Sequence, residues 1–276
     1  MASQSEKHHT FRELYGRPGA FVIPNPWDAG TARILTALGF EALATTSAGF
    51  AFSIGRRDLA AALSRTEILQ NARSIVEATD LPVTADLEDG FGTDPATCAE
   101  TISLAAEAGL VGGSIEDATG DPAKPIFEFS LAVDRVAAAA EEAHRHPFIL
   151  TARAENFLQG RPDLDDTIRR LQAFEAAGAD VLYASGLPSL EAIRTVCLSV
   201  NRPVNVVMGL AGRAFSVAEL ETAGVKRISV GGSFARAALG GFIRAAREVK
   251  EHGTFTYADD AISHRDASSY MHDTSR

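Results

Sequence analysis

Carboxylate side chains occur in a short stretch of this sequence at a spacing that suits a cation site. Residues 85–92 read ADLEDGFG, so Asp86 and Glu88 lie two positions apart. If this stretch ends a β-strand, side chains two apart share a face and both carboxylates point the same way. Two such like charges need a shared proton or a hard cation. A solvated acidic turn is the alternative, because Asp-Gly pairs are common in turns.

A second acidic pair follows at the end of the next apolar stretch, where residues 114–117 read SIED. Glu116 is then within reach of a cation held by Asp86, although a helix cap is the alternative for this pair. Carboxylate ligands completed by water are typical of Mg²⁺, with Mn²⁺ as a second candidate. The predicted strand ends contain no histidine, which argues against zinc.

An arginine and a small-residue turn add groups that bind anions. Arg153 follows another apolar stretch and serves either as a counter-ion to the carboxylates or as a bidentate clamp on a substrate carboxylate. Glu155, two residues on, is placed to orient it. The turn that begins Ser47-Ala48-Gly49-Phe50 offers a hydroxyl and backbone N–H groups to a carboxylate or phosphonate, or it is a plain turn.

These residues depend on a repeating unit of short strand, loop and amphipathic helix. Four helical patterns end at a glycine, which tolerates the left-handed conformation that closes a helix, and three strands start at a proline, which need not donate to the sheet there. Eight alternations predict a parallel sheet with helices outside, closed as a (β/α)8 TIM barrel. An open doubly wound sheet is the rival, but no Gly-x-Gly-x-x-Gly follows the first strand. The predicted strands are Phe21–Asn25, Glu41–Thr46, Pro82–Leu87, Leu110–Ile115, Phe148–Ala152, Asp180–Ala184, Val204–Val207 and Arg227–Val230.

Composition supports one domain over residues 1–276, with a polar N-terminal segment and a polar C-terminal tail. The chain has 36 acidic and 26 basic residues, a net charge of −10, which argues against a nucleic-acid partner. No apolar run is long enough to cross a membrane, and the N-terminus lacks a signal-peptide core. Two cysteines are too few for a disulfide framework. We therefore expect a cytoplasmic protein.

Taken together, the order and spacing of these motifs resemble the isocitrate lyase/phosphoenolpyruvate mutase superfamily. The resemblance covers residues 18–251. The matching segments are Asp28-Ala29, Thr46–Gly49, Gly55–Asp58, Asp86–Gly92, Ile115–Asp117 and Ala152–Glu155. It implies a barrel whose eighth helix is exchanged between subunits, in dimers that assemble as tetramers. The stretch Ser233–Lys250, rich in small residues, is the predicted exchanged helix.

The resemblance also assigns roles to individual residues. It implies Mg²⁺ held directly by Asp86, with nearby carboxylates acting largely through water. A small-molecule carboxylate would be held by Arg153 and by the turn of Ser47, Ala48, Gly49 and Phe50. The metal ligands expected on this basis are Asp86, Glu88 and Glu116, and the catalytic residues are Arg153, Glu116 and Asp58.

One segment departs from the family. The lyases of isocitrate and 2-methylisocitrate carry a Lys-Lys-Cys-Gly-His loop after the fourth strand, whereas residues 118–126 here read ATGDPAKPI. Cys98 and Cys197 fall on helical patterns and cannot replace that cysteine. We therefore expect a Mg²⁺-dependent lyase that cleaves a C–C or C–P bond in a small 2-oxo or 2-hydroxy acid. A Mg²⁺-dependent pyruvate aldolase and a catalytically inactive carboxylate-binding barrel are the alternatives.

Overall fold

Parallel strands form the centre of the computed structural model, which describes residues 2–58, 62–209 and 214–271. Eight strands are present in this part of the chain, and each overlaps one predicted segment, although β4 and β5 run one and two residues beyond the predicted ends. They are β1 (Phe21–Ile23), β2 (Leu43–Ala44), β3 (Val83–Asp86), β4 (Gly112–Glu116), β5 (Ile149–Ala154), β6 (Val181–Ala184), β7 (Val204–Val207) and β8 (Arg227–Ser229).

Pairing of the strands produces a nearly closed barrel. The order is β1-β8-β7-β6-β5-β4-β3-β2, with every pair parallel. Between β1 and β2, the amide of Ala44 donates to the carbonyl of Pro24 over 3.0 Å. The prediction of a (β/α)8 TIM barrel is confirmed, and the carboxyl ends of all the strands meet at one mouth.

Helices surround the barrel between successive strands. The glycines predicted to end four of them, Gly39, Gly109, Gly178 and Gly224, all have positive φ, which closes a helix without steric cost. The helices are α1 (Gln4–Gly16), α2 (Ala29–Ala37), α3 (Ser47–Ser53), α4 (Arg65–Glu77), α5 (Pro95–Glu107), α6 (Phe129–Ala143), α7 (Leu164–Ala176), α8 (Leu190–Ser199), α9 (Val217–Thr222), α10 (Ser233–His252) and α11 (His264–Tyr270).

The polar N-terminal segment contains a helix that the sequence analysis did not predict. Ser3 caps α1 and Glu6 completes the capping box. Phe11 and Leu14 are buried against Phe21 and other residues near the amino ends of the strands. The helix therefore closes the end of the barrel opposite the mouth. Its few apolar residues are enough to pack it there, because Phe11 and Leu14 lie on the same face of the helix.

The last long helix extends away from the barrel core. Of the residues of α10, only Ala235 is buried, whereas Phe242 is 71% exposed and Leu239 and Ile243 are also exposed. The polar tail then forms a 3₁₀ turn (Thr256–Asp259) and α11, where the carbonyl of Met271 accepts a hydrogen bond from Arg33 of α2. None of the helices in the described ranges is long and apolar enough to span a bilayer. Exchange of α10 between subunits stays a prediction.

Candidate active site at the barrel mouth

A cavity of about 1450 Å³ opens at the carboxyl ends of the strands. Its lining includes most of the predicted site residues: Ser47, Ala48, Asp58, Asp86, Glu88, Glu116 and Arg153. Gly49 and Phe50 lie outside this lining. Gly49 packs closely against Trp27 and Ala235, and Phe50 packs on the core. The barrel therefore brings together residues that are up to about a hundred positions apart in sequence.

Arg153 lies at the centre of the carboxylates. Its Nη1 is 3.0 Å from Asp86, its Nη2 is 3.0 Å from Glu116 and its Nε is 2.8 Å from Glu155. The guanidinium also lies over the ring of Tyr183, 4.9 Å from the ring centroid. Only 13% of the Arg153 side chain is exposed, so its position is set by these neighbours. The prediction that Glu155 lies against Arg153 agrees with this geometry.

The two carboxylates of the acidic stretch line the same cavity for different reasons. Asp86 is the last residue of β3, and its carboxylate accepts a hydrogen bond of 2.9 Å from the Ser47 hydroxyl. Leu87 turns into the core, as strand alternation predicts. Glu88 lies beyond the strand with φ of 49°, a conformation uncommon outside glycine. Left-handed backbone therefore returns the Glu88 side chain to the cavity.

Negative charge exceeds positive charge around Arg153. The pKa of Glu88 is raised to about 8, first because the group is removed from water and then because Asp86 lies nearby. Burial also raises the pKa of Glu116 well above its usual range, against the opposing effect of Arg153. The pKa of Asp58, at the exposed rim, is raised by desolvation and by Asp86. A further cation at this place would relieve the repulsion.

A second layer of buried groups fixes Glu155. The Ser185 hydroxyl donates to the Glu155 carboxylate over 2.8 Å. The amide of Glu155 donates to the carboxylate of Asp117, also over 2.8 Å. Asp117 in turn forms a buried ion pair of 3.1 Å with Arg170, which also donates to the carbonyl of Phe127. Sequence reasoning missed Arg170, because nothing in the local pattern of α7 separates it from the exposed arginine beside it.

The Ser47 stretch is the start of a helix rather than the predicted turn. Thr46 caps α3, and its hydroxyl accepts from the amide of Gly49 over 3.2 Å. The amides of Ser47 and Ala48 have no partner within the helix and lie at its positive end. The hydroxyl of Ser47 is bonded to Asp86, so it helps to position that carboxylate.

The loop after β4 is a short hairpin. It contains neither the cysteine nor the histidine of the isocitrate-type lyase loop. Ala118 pairs with Ile126, and the amide of Thr119 donates to the carbonyl of Pro125 over 3.1 Å. The two cysteines lie on α5 and α8, and burial raises the pKa of each thiol to about 11. Neither lines the cavity, so neither replaces a loop cysteine.

The donor set at the mouth fits a hard cation that keeps much of its water. In the part of the chain that the structure describes, no three carboxylates, thiols or imidazoles form a ready-made metal cluster. The lining does hold the carboxylates of Asp86, Glu88 and Glu116, all oxygen donors, beside the guanidinium of Arg153. Mg²⁺ is usually bound by one or two carboxylates with waters completing the octahedron, so the residues present suit it.

Comparisons with known proteins agree with the fold. The family model described as phosphoenolpyruvate phosphomutase matches residues 11–250. A crystal structure from Burkholderia cenocepacia J2315, provisionally described as a lyase/mutase, is 56% identical with a TM-score of 0.94, covering 97% of this chain and 96% of that one.

Two curated enzymes are more distant relatives. The 2-methylisocitrate lyase of Bacillus subtilis (strain 168) is 27% identical over 265 residues, covering 92% of this chain and 85% of that protein. The 2,3-dimethylmalate lyase of Eubacterium barkeri is 28% identical over 222 residues, covering 77% of this chain and 75% of that protein. The chain therefore belongs to the phosphoenolpyruvate phosphomutase family, within the phosphoenolpyruvate mutase/isocitrate lyase superfamily.

Proposed function

We propose that this protein is a Mg²⁺-dependent lyase that cleaves a C–C, or C–P, bond in a small 2-oxo or 2-hydroxy carboxylic acid. The observation that carries the proposal is the position of Arg153, which pairs with Asp86, Glu116 and Glu155 at the mouth of the barrel. This arrangement provides both a site for a cation and a donor for substrate oxygens. Relatives named 2-methylisocitrate lyase and 2,3-dimethylmalate lyase support the substrate class.

Mg²⁺ is the metal that these residues suit best, and Mn²⁺ is the substitute we expect. Asp86 would hold the ion directly, and Glu88, Glu116 and Asp58 would act largely through water. When bound, the ion supplies positive charge to a substrate oxygen as a Lewis acid. Because it adds charge among crowded carboxylates, it would also lower the raised pKa values of Glu88 and Glu116.

Arg153 is the residue we expect to bind and stabilise the substrate. A guanidinium has five N–H donors, and the three ion pairs use one on each nitrogen, which leaves two for a ligand. Bond cleavage leaves negative charge on an enolate or oxalate-like oxygen. Tyr183 and Glu155 hold the guanidinium in place before the reaction, so little reorganisation is needed when that charge develops.

Proton transfer is assigned to Glu116 and to Asp58. Glu116 is inside the cavity and paired with Arg153, whereas Asp58 is at the rim. The amides of Ser47 and Ala48 are the backbone donors for the substrate's carboxylate. The hairpin of residues 118–126 lacks the cysteine of the isocitrate-type lyases. The reaction we propose therefore does not depend on a thiol acid in that loop.

A turnover screen tests the proposal. Purified protein with Mg²⁺ is incubated with oxaloacetate, 2-methylisocitrate, dimethylmalate and phosphonopyruvate, and products are followed by NMR. We expect turnover of at least one substrate, lost in Asp86→Asn and kept in Asp165→Asn, which removes an exposed acid outside the cavity. Release of pyruvate and an aldehyde from a 4-hydroxy-2-oxo acid, added to the same screen, would indicate the aldolase. Oxalate binding without any turnover would indicate a carboxylate-binding barrel, and intact Mg²⁺ binding in Asp86→Asn would contradict the assigned site.

Assembly as a homodimer or homotetramer through α10 belongs to the same proposal. The exposed Leu239, Phe242 and Ile243 form an apolar face on that helix. A small groove at its base is lined by Trp27, Phe52 and other apolar residues. Light scattering coupled to size-exclusion chromatography should give a multiple of 29.2 kDa. Phe242→Glu should shift the protein toward monomer, and a monomeric wild type would contradict the proposal.

We expect the enzyme in the cytoplasm.

A further inference from the structure

Arg227 lies on the floor of the barrel cavity, below the residues assigned above to catalysis. It belongs to β8, is 5% exposed, and contributes to the cavity lining together with Asn205 and Ser229. Its guanidinium donates to Asn205 Oδ1 over 2.8 Å, to the hydroxyl of Tyr15 over 2.9 Å and to Thr151 Oγ1 over 3.0 Å. These contacts fix the group firmly inside the barrel.

All three partners of Arg227 are neutral. Across the described residues, no carboxylate lies within 4 Å of this guanidinium to form an ion pair. One acid, Asp180, acts on this cluster through its electrostatic effect on Tyr15, and it accepts its own hydrogen bond from the amide of Leu150. A buried charge without a counter-ion is strongly unfavourable. The environment of Arg227 therefore lacks a negative charge.

The cluster also has more donors than acceptors. Arg227 uses three of its five N–H groups on the neighbours named above. The hydroxyls of Thr151 and Tyr15 both accept from it, and neither donates to another group in the part of the chain described. Asn205 Nδ2 donates to Ser229 over 3.2 Å. Such a set of donors around a cation is suited to an anion.

The position of the cluster indicates which anions can reach it. Thr151 lies two residues before Arg153 on β5, so the backbone positions of these two residues are about 6.6 Å apart along the strand. We propose that Arg227, with Thr151 and Asn205, forms a second anion site on the barrel floor for a small monovalent anion, a halide or one carboxylate of a dicarboxylic ligand. The carboxylate form rests on the proposed function, whereas the halide form does not.

Anion-dependent thermal unfolding tests the site without substrate or metal. Chloride is titrated against gluconate, a much larger monovalent anion, at constant ionic strength. We expect a saturable rise in Tm, equivalent to about an 11-fold increase in the folded-to-unfolded ratio at ten times Kd. Arg227→Met should abolish the dependence. Arg194→Met, which removes an exposed arginine from α8, should keep it.

A second variant guards against loss of folding. Thr151→Val removes one hydroxyl and keeps the arginine, so it should fold and shift the chloride midpoint several-fold upward. An identical Tm in chloride and gluconate for the wild type would overturn the proposal, since water would then satisfy the cluster. The same chloride response in wild type and Arg227→Met, or an unchanged midpoint in Thr151→Val, would also overturn it.

Competition distinguishes the two sources of the anion. Malonate binding in the presence of Mg²⁺ is measured by calorimetry with and without saturating chloride. A several-fold weaker malonate affinity in chloride, absent in Arg227→Met, would show that a ligand carboxylate reaches the floor. An unchanged affinity would assign the site to halide. Because the chloride titration uses neither Mg²⁺ nor substrate, its result stands whether or not turnover is found.

Discussion

Replacing Arg170 by methionine tests the buried support behind the active site. The side chains of Arg170 and Asp117 are 6% and 2% exposed, and their ion pair measures 3.1 Å. Asp117 accepts a hydrogen bond from the backbone amide of Glu155, and the carboxylate of Glu155 pairs with Arg153. The substitution removes the cation and leaves Asp117 buried, with one backbone donor as its remaining partner. The perturbation therefore reaches Arg153 through a chain of direct contacts.

The expected cost is about 3 to 5 kcal/mol of unfolding free energy, the usual penalty when one partner of a buried ion pair is removed. Arg169→Met is the matched control. Arg169 is the neighbouring residue and its side chain is 61% exposed, while its partner Asp166, 14% exposed, also pairs with Arg170 over 2.8 Å. An ion pair made by an exposed arginine contributes about 0 to 1 kcal/mol. The loss of unfolding free energy should therefore be several times larger for Arg170→Met than for Arg169→Met.

The cost should also depend on pH. Burial raises the folded-state pKa of Asp117 from its ordinary value of 3.8 to about 6, and Arg170 opposes that rise. A raised carboxyl pKa means that the folded protein holds more protons between these values, so stability falls as pH rises through that window. Without Arg170 the pKa rises further. The penalty of Arg170→Met should therefore be larger at pH 8 than at pH 5.

Urea unfolding at the two pH values, followed by circular dichroism, measures these differences. The double variant with Asp117→Asn should recover part of the loss, because the unpaired charge is gone. A cost below about 1 kcal/mol for Arg170→Met, or an equal cost in the Asp117→Asn background, would refute the reasoning. A penalty independent of pH would refute the assignment of the effect to the charge of Asp117.

Two further predictions concern other parts of the fold. Phe11→Ala should destabilise the protein by about 3 to 5 kcal/mol in urea unfolding, because Phe11 is 1% exposed; Leu38→Ala, at a position 58% exposed, should change it by less than about 0.5 kcal/mol. Equal effects would mean that α1 does not stabilise the barrel. Cys98 and Cys197, with thiol pKa values of about 11, should react with a thiol reagent at pH 7 on the order of a hundredfold more slowly than free cysteine. Rapid labelling of either thiol in the native protein would contradict its burial.

Much of the barrel could be predicted because its signals are local. Each strand is a short apolar run, and the glycines that end helices carry their own conformational requirement, as the φ of 105° at Gly178 illustrates. The placement of Asp86 and Glu116 at strand ends followed from the same pattern. Parallel strands bring their carboxyl ends to one side, so the approximate location of the site needed no knowledge of contacts.

Elements without a strong periodic signal were harder to predict. Helix α1 buries Phe11 and Leu14 but is otherwise polar, so its composition resembles that of a terminal tail. Helix α3 begins with Ser47, Ala48 and Gly49, residues that are equally common in turns. In both cases the local sign of a helix lay in its cap, the Ser3–Glu6 capping box of α1 and the Thr46 side chain of α3.

The sequence by itself determined the eight-strand alternation, the acidic strand ends and the absence of a cysteine from the hairpin after β4, because each is a property of neighbouring residues. Only the tertiary structure decided how those residues pair. Closure of the barrel places Arg153 between Asp86 and Glu116, and it leaves Arg227 inside the barrel among neutral partners. Such pairings join residues far apart in the chain. Their energies depend on burial and distance, which no local pattern records.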